Sequence, residues 1–174
     1  MSDSDCGSWE VARDEFVAQW GALGGHWGIN RTMAMIHALL ITAPEPMHTD
    51  AIMERLDISR GNANTNLREL VGWGLVRVVL RKGERREFFE AEKDVWQMFV
   101  TITRERKRRE LEPALAVLRD CADRTAAEEA GPGREFHRQM TELREFLEFG
   151  MKVADVVSSM KHNSALQWAM RLMG

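Results

Sequence analysis

Cysteine is scarce in this chain, tyrosine is absent and proline is rare: the 174 residues hold 2 Cys, no Tyr and 4 Pro. Cys6 and Cys121 stand far apart, without a CxxC pair or a neighbouring histidine pair, so zinc and dithiol chemistry find no ligand set. His26, His37, His48, His137 and His162 show no HxxxH spacing, which removes the usual helical metal site. GxSxG, a phosphate loop with GK[ST] and a dinucleotide glycine fingerprint are missing as well. The expectation is therefore a non-enzyme with no cofactor and no metal. No apolar run approaches the roughly 20 residues of a membrane span, and the N-terminus lacks a basic-then-apolar leader. The sequence reads as cytoplasmic, with no membrane partner.

What is present supports a folded, soluble chain: 44% of residues are hydrophobic and 29% charged. The net charge of −3 argues against a nucleic-acid partner when taken alone. Its distribution reverses that reading. Between Arg60 and Arg86 the bases are Arg60, Arg68, Arg77, Arg81, Lys82, Arg85 and Arg86, against only Glu69 and Glu84. The acidic excess lies in the flanks, including Met1–Glu15 and Glu128-Glu129.

Periodicity and punctuation give the organisation. Trp9, Ala12, Phe16, Trp20 and Leu23 make a helical stripe that Gly24-Gly25 is expected to stop. Asn30 caps a second helix, Arg31–Thr42, which Pro44 and Pro46 end. On that helix His37 lies among apolar residues and reads as a hydrogen-bonded core or interface histidine, whose burial would make it sensitive to pH. Met47–Thr49 suits a short strand. Thr49 is expected to cap a helix over Asp50–Asp57, and Ser59 another over Arg60–Trp73, with Gly74 as its stop. Leu75–Arg81 and Arg85–Ala91 then read as strands around Lys82-Gly83-Glu84. Asp94 opens a long helix with a charged run at Arg104–Glu110, a solvated surface by default, and Pro113 must kink or restart it. A stripe of Leu111, Leu115, Leu118 and Ala122 runs to Arg124, and Thr125–Gly133 is a connector. Beyond it Phe136, Met140, Leu143, Leu147, Gly150, Ala154 and Val157 recur at heptad-like spacing. Ser164–Met173 reads as one more short helix.

These elements spell a mainly α fold: a winged helix-turn-helix with a two-stranded β wing, and extra N- and C-terminal helices forming a dimerisation bundle. The expected division is an N-terminal dimerisation helix over 1–29, a DNA-binding domain over 30–93 and a C-terminal dimerisation region over 94–174. Within Arg60–Trp73, taking Leu67 as inward puts Ala63, Leu70 and Val71 beside it, and centres the outward face on Thr65. Gly61, Asn62, Arg68 and Glu69 surround that centre, flanked by Asn64 and Asn66. Such residues suit base edges, since Asn pairs with adenine, Arg with guanine, and Thr meets a thymine methyl. Arg60 at the helix start suits a phosphate. The expected DNA-binding residues are Arg60, Asn62, Asn64, Thr65 and Arg68 on the helix, and Lys82, Arg85 and Arg86 on the wing.

The run Leu70-Val-Gly-Trp-Gly-Leu-Val76, leading straight into a basic hairpin, resembles the MarR superfamily of bacterial winged-helix regulators. The longer series Trp27-Gly-Ile-Asn-Arg, Ala43-Pro-Glu-Pro, Ser59-Arg-Gly-Asn, Leu67-Arg-Glu-Leu and Gly83-Glu-Arg-Arg-Glu-Phe-Phe is similar to its GbsR-type branch. The resemblance covers roughly Trp9 to Arg124. It implies a homodimeric transcriptional regulator, usually a repressor, that binds a pseudo-palindromic operator in double-stranded DNA. It leaves open a small-molecule effector of unnamed identity. Some GbsR-type proteins respond to choline, and Trp20, Trp27 and Trp96 are the candidates for an aromatic cage, although tyrosine, a common cage wall, is missing. The competing class is a winged-helix module that binds protein and not DNA through its apolar C-terminal helices.

Overall fold

Local capping chemistry decides where most of the helices begin. In the structure, a computed structural model that describes residues 7–26 and 28–160, Asn30 Oδ1 accepts from the backbone N–H of Thr32 at 2.8 Å and of Met33 at 3.3 Å. That starts α2 (Arg31–Thr42). Ser59 Oγ accepts from Asn62 N at 3.3 Å to start α4 (Arg60–Trp73), and Gly74, at φ 78°, ends it in the left-handed region. Asp94 Oδ1 accepts from Trp96 N at 2.8 Å and Gln97 N at 3.0 Å and so opens α5 (Val95–Arg106). One cap differs from expectation. Thr49 is the first residue of α3 (Thr49–Leu56), and the cap is His48, whose Nδ1 accepts from Ala51 N at 3.2 Å. An acceptor nitrogen on an extended residue satisfies the same orphan donor as a hydroxyl.

The first helix also departs from expectation. α1 (Ser8–His26) runs through Gly24-Gly25 without stopping there. A Cβ on Gly21 would lie 2.3 Å from Met35 Cγ, and one on Gly24 would lie 2.5 Å from the Ala34 Cβ. These two glycines let α1 press against α2. The turn comes later: Ile29 N bonds Gly24 O at 2.9 Å, Gly28 N bonds Gly25 O at 3.3 Å, and Gly28 takes φ +72°. Tertiary packing has decided what the glycines do.

The chain forms two compact units, residues 1–98 and 99–174. In the first, α1 to α4 surround a three-stranded antiparallel sheet in the order β1-β3-β2. β1 is Met47–His48, β2 Val76–Leu80 and β3 Glu87–Ala91. The register pairs Met47 with Phe89, Val78 with Phe89 and Leu80 with Glu87. Ile36, Leu40, Ile52, Leu67, Leu70 and Phe89 are essentially sealed from solvent in its core. This is a winged helix, with the wing completed by the short first strand.

In the second unit a π-helical turn, Lys107–Leu111, joins α5 to α6 (Glu112–Arg124). It falls just before Pro113, whose ring would clash with the carbonyl four residues back in a regular helix. α7 (Gly131–Ser159) packs against α6, with Leu115, Ala122 and Met151 buried. Lys107 Nζ meets Asp155 at 2.6 Å and Arg119 Nη2 meets Glu148 at 2.8 Å. Glu105 accepts from Arg108 and Arg109, which hold its carboxyl below the usual carboxylate range, so part of the charged run neutralises itself. The heptad seam of α7 divides: Met140, Leu147 and Ala154 are half-buried, whereas Phe136 and Leu143 are exposed. The expected helix at 164–173 lies outside the described residues. No helix among the described residues is long and apolar enough to cross a membrane.

Candidate nucleic-acid interface

α3, α4 and the wing place the expected reading residues in one unit. Leu67 and Ala63 anchor α4 in the core, which turns Arg60, Gly61, Asn62, Asn64, Thr65 and Arg68 outward. Lys82, Arg85 and Arg86 are exposed around the tip of the β2–β3 hairpin. Gly83 at φ +87° supplies the left-handed residue that the turn needs, and Glu84 N bonds Arg81 O at 3.1 Å. A helix face and a hairpin tip, both carrying long cations, thus belong to the same compact unit.

Asn66 does not flank this face. It is buried, and its Nδ2 donates to Asn62 O at 2.8 Å and Asn62 Oδ1 at 2.7 Å. The i to i−4 spacing on a helix permits that bond, and it satisfies an amide that burial would otherwise strand. Asn62 itself donates to Thr32 Oγ1 of α2 at 3.3 Å. The pair Asn62–Asn66 therefore ties α4 to α2, and the Asn62 side chain is more constrained than an exposed side chain without such bonds. His37 also differs from expectation: its Nε2 is buried with no hydrogen-bond partner among the described residues. Burial lowers its pKa to about 4, so the ring is neutral near pH 7.

The cations of the reading face come with acids attached. Asp50 of α3 accepts from Arg60, and Glu87 of β3 accepts from Arg68. Behind the face, Arg77 pairs with Glu90 at 2.7 Å and Arg81 with Glu45 at 3.2 Å. Arg86 and Glu84 stand 4.0 Å apart at the wing tip. Lys82 and Arg85 make no ion pair among the described residues. The excess of positive charge from Arg60 to Arg86 is thus smaller in space than along the chain, because Glu45, Asp50, Glu87 and Glu90 fold back onto it. These partners lie outside the basic window, and the antiparallel register that returns Glu87 and Glu90 to β2 was the signal for two of them.

Trp20 packs on Phe16, with ring centroids 5.3 Å apart. Trp27 lies outside the described residues. Among those described, no three His, Cys, Asp or Glu side chains gather to hold a metal ion, and Cys121 is a free thiol.

No family model matches the chain. It is 30% identical over 138 residues to the HTH-type transcriptional regulator MmpR5 of Mycobacterium tuberculosis, a match covering 78% of each protein. It is 24% identical over 93 residues to YvaV of Bacillus subtilis, which is also named for an HTH-type transcriptional regulator, and there the match spans 53% of this chain and about half, 52%, of YvaV. A crystal structure of a transcriptional regulator superposes with a TM-score of 0.64 at 27% identity, covering 84% of this chain and 95% of that one. With the winged helix and its outward-turned second helix, these likenesses show that the chain belongs to the HTH-type transcriptional regulators.

Proposed function

We propose that this protein is a MarR-superfamily regulator of the GbsR type that represses transcription by binding a pseudo-palindromic operator as a homodimer. One observation carries the reading. Arg60, Asn64, Thr65 and Arg68 share the exposed face of α4, in the same unit as a wing whose Lys82 and Arg85 make no ion pair among the described residues. α4 enters a major groove with its N-terminal half deepest, and the wing lies along the backbone or in the adjacent minor groove. Two half-sites about one helical turn apart then require two copies of the reading head.

The dimer reading is supported by α7. Phe136, Leu143, Phe146, Phe149, Val153 and Val156 are all exposed on this one helix. At 100° per residue Leu143, Phe146, Phe149, Val153 and Val156 fall on one side of the helix, and an exposed apolar side of that kind marks an interaction surface. The working division remains 1–29 and 94–174 for assembly and 30–93 for DNA. For an effector, the candidate is an open cleft of about 510 Å³ in the first unit, lined by Glu10, Glu45, Arg13, Arg55, Arg81 and Phe88 among others. Arg13 and Arg55 are paired with Asp14 and Arg81 with Glu45, so the cleft offers balanced charge beside the Phe88 ring.

Gel retardation of the DNA flanking the protein's own gene, at stated salt, tests the reading. Sequence-selective retardation is expected, with two protein chains per shifted duplex. Absence of any retardation at low salt would instead favour a protein-docking module built on the apolar face of α7.

A further inference from the structure

The Arg68–Glu87 pair joins the reading helix to the wing, and its setting says more than an ordinary surface ion pair. Arg68 Nη2 donates to Glu87 Oε2, and the guanidinium carbon lies 6.0 Å from the centroid of the Phe89 ring. Glu87 and Phe89 are two residues apart on β3, so both side chains leave the same face of the sheet. The guanidinium is thus held on one side by a carboxylate and backed by an aromatic ring, with its other N–H donors still available. Both residues remain substantially exposed, at 59% for Arg68 and 44% for Glu87. Such a pair contributes little to folding stability, so its consequences must be sought in binding.

We propose that Glu87 is a specificity-determining positioning residue: it holds Arg68 for a base edge and withholds it from phosphate. This rests on the DNA-reading function proposed above. Random duplex is bound chiefly because cations neutralise phosphates and release counterions. A guanidinium already neutralised by a carboxylate gains less from a phosphate, since the carboxylate is itself repelled by the DNA. A guanine O6/N7 edge is different. It offers two neutral acceptors to a fork that is already oriented, and an oriented side chain has less rotamer entropy to lose. Lys82 and Arg85, with no ion pair among the described residues, remain for the phosphates. The Arg60–Asp50 pair repeats the arrangement at the start of the same helix. Both cations of the reading helix are therefore held by acids from other elements.

The test compares wild type with Glu87→Gln, Arg68→Ala, the double variant, and Glu54→Gln as a charge-matched control on the exposed side of α3. Affinities for a random-sequence duplex and for the retarded flanking DNA are measured across a salt series. Glu87→Gln is expected to tighten random-duplex binding about threefold to fivefold at low salt and to steepen the log–log salt slope by about 0.9, one added phosphate contact. Its preference for the flanking DNA should shrink. In the Arg68→Ala background the same change should do no more than Glu54→Gln does. Glu87→Gln behaving like the control, weakening all DNA without a slope change, or acting undiminished without Arg68 would each overturn the assignment. Wild type that binds no duplex even at low salt would remove the DNA-reading function and this assignment together. Binding by wild type with an inert Glu87→Gln would remove the assignment alone.

Discussion

The two units of the chain bury their apolar residues to very different degrees. In the first, Ile36, Leu40, Ile52, Leu67, Leu70 and Phe89 are sealed by α1 to α4 and the sheet. In the second, α6 and α7 cover Leu115, Ala122 and Met151, while Phe146 is 75% and Phe149 65% exposed. A winged helix completes its own core because sheet and helices close over one another. A pair of helices buries one stripe on each and leaves the opposite face open. The first unit is therefore closed around its own core, and among the described residues the second leaves one side of α7 open.

The largest effect should come from the closed core. Leu67 is 0% exposed and is the inward anchor of α4, so Leu67→Ala should cost about 2–5 kcal/mol of unfolding free energy, read from urea denaturation. Loss of DNA binding would follow from the loss of the helix rather than of a contact. A cost under about 1 kcal/mol would mean that this core is far looser than its burial indicates.

The open face predicts a different signature. Leu143→Glu with Phe146→Glu should leave helix content by circular dichroism near wild type and weaken self-association by roughly a hundredfold, seen by sedimentation. The wild-type melting temperature should rise with protein concentration, and the variant's should not. Equal sedimentation of both proteins would show that α7 is not where two copies meet.

How far the sequence already described the molecule depends on the range of each cause. Asn30, Ser59, Gly74 and Asp94 act through bonds to residues two to four positions away, so α4 and its outward face were legible with its bounds. Gly24 was misread because what matters there is Ala34 across a helix pair, and Asn66 because a neighbouring amide turns it inward. Thr49 lost the cap to His48, a residue type rarely considered for that role. At the candidate interface the cations were visible in the sequence and their acids were not. Asp50 and Glu87 reach Arg60 and Arg68 only through the fold, so the chain count exaggerated the charge available to DNA.

His37 offers a second probe of the closed unit. Its folded pKa of about 4 lies below the ordinary 6.5, so between these values the unfolded chain takes up a proton that the folded chain refuses. Stability is complete above pH 6.5 and is lost as pH falls towards 4, amounting to about 2 kcal/mol at pH 5 relative to pH 7.5. His37→Leu should flatten that part of the urea-midpoint profile. A profile that keeps its slope in the variant would place the titration elsewhere. Gly24→Ala should follow at about 1–2 kcal/mol. The overlap with Ala34 outweighs the gain in helix propensity, and the same denaturation series would show it.

The smallest expected effect separates roles within the reading head. Arg85→Ala should weaken binding to every duplex about alike and reduce the salt slope by about one, because an exposed wing cation is worth one phosphate. Arg68→Ala should relax sequence preference while leaving random-duplex affinity nearly unchanged, since Glu87 already occupies that charge. The comparison needs both duplexes at several salt concentrations, because at one concentration the two losses can look identical. Equal losses on specific and random DNA for both variants would mean that the reading helix and wing share one electrostatic role. Distinct losses would mean that the helix selects and the wing holds, with the acids on the helix cations making the separation possible.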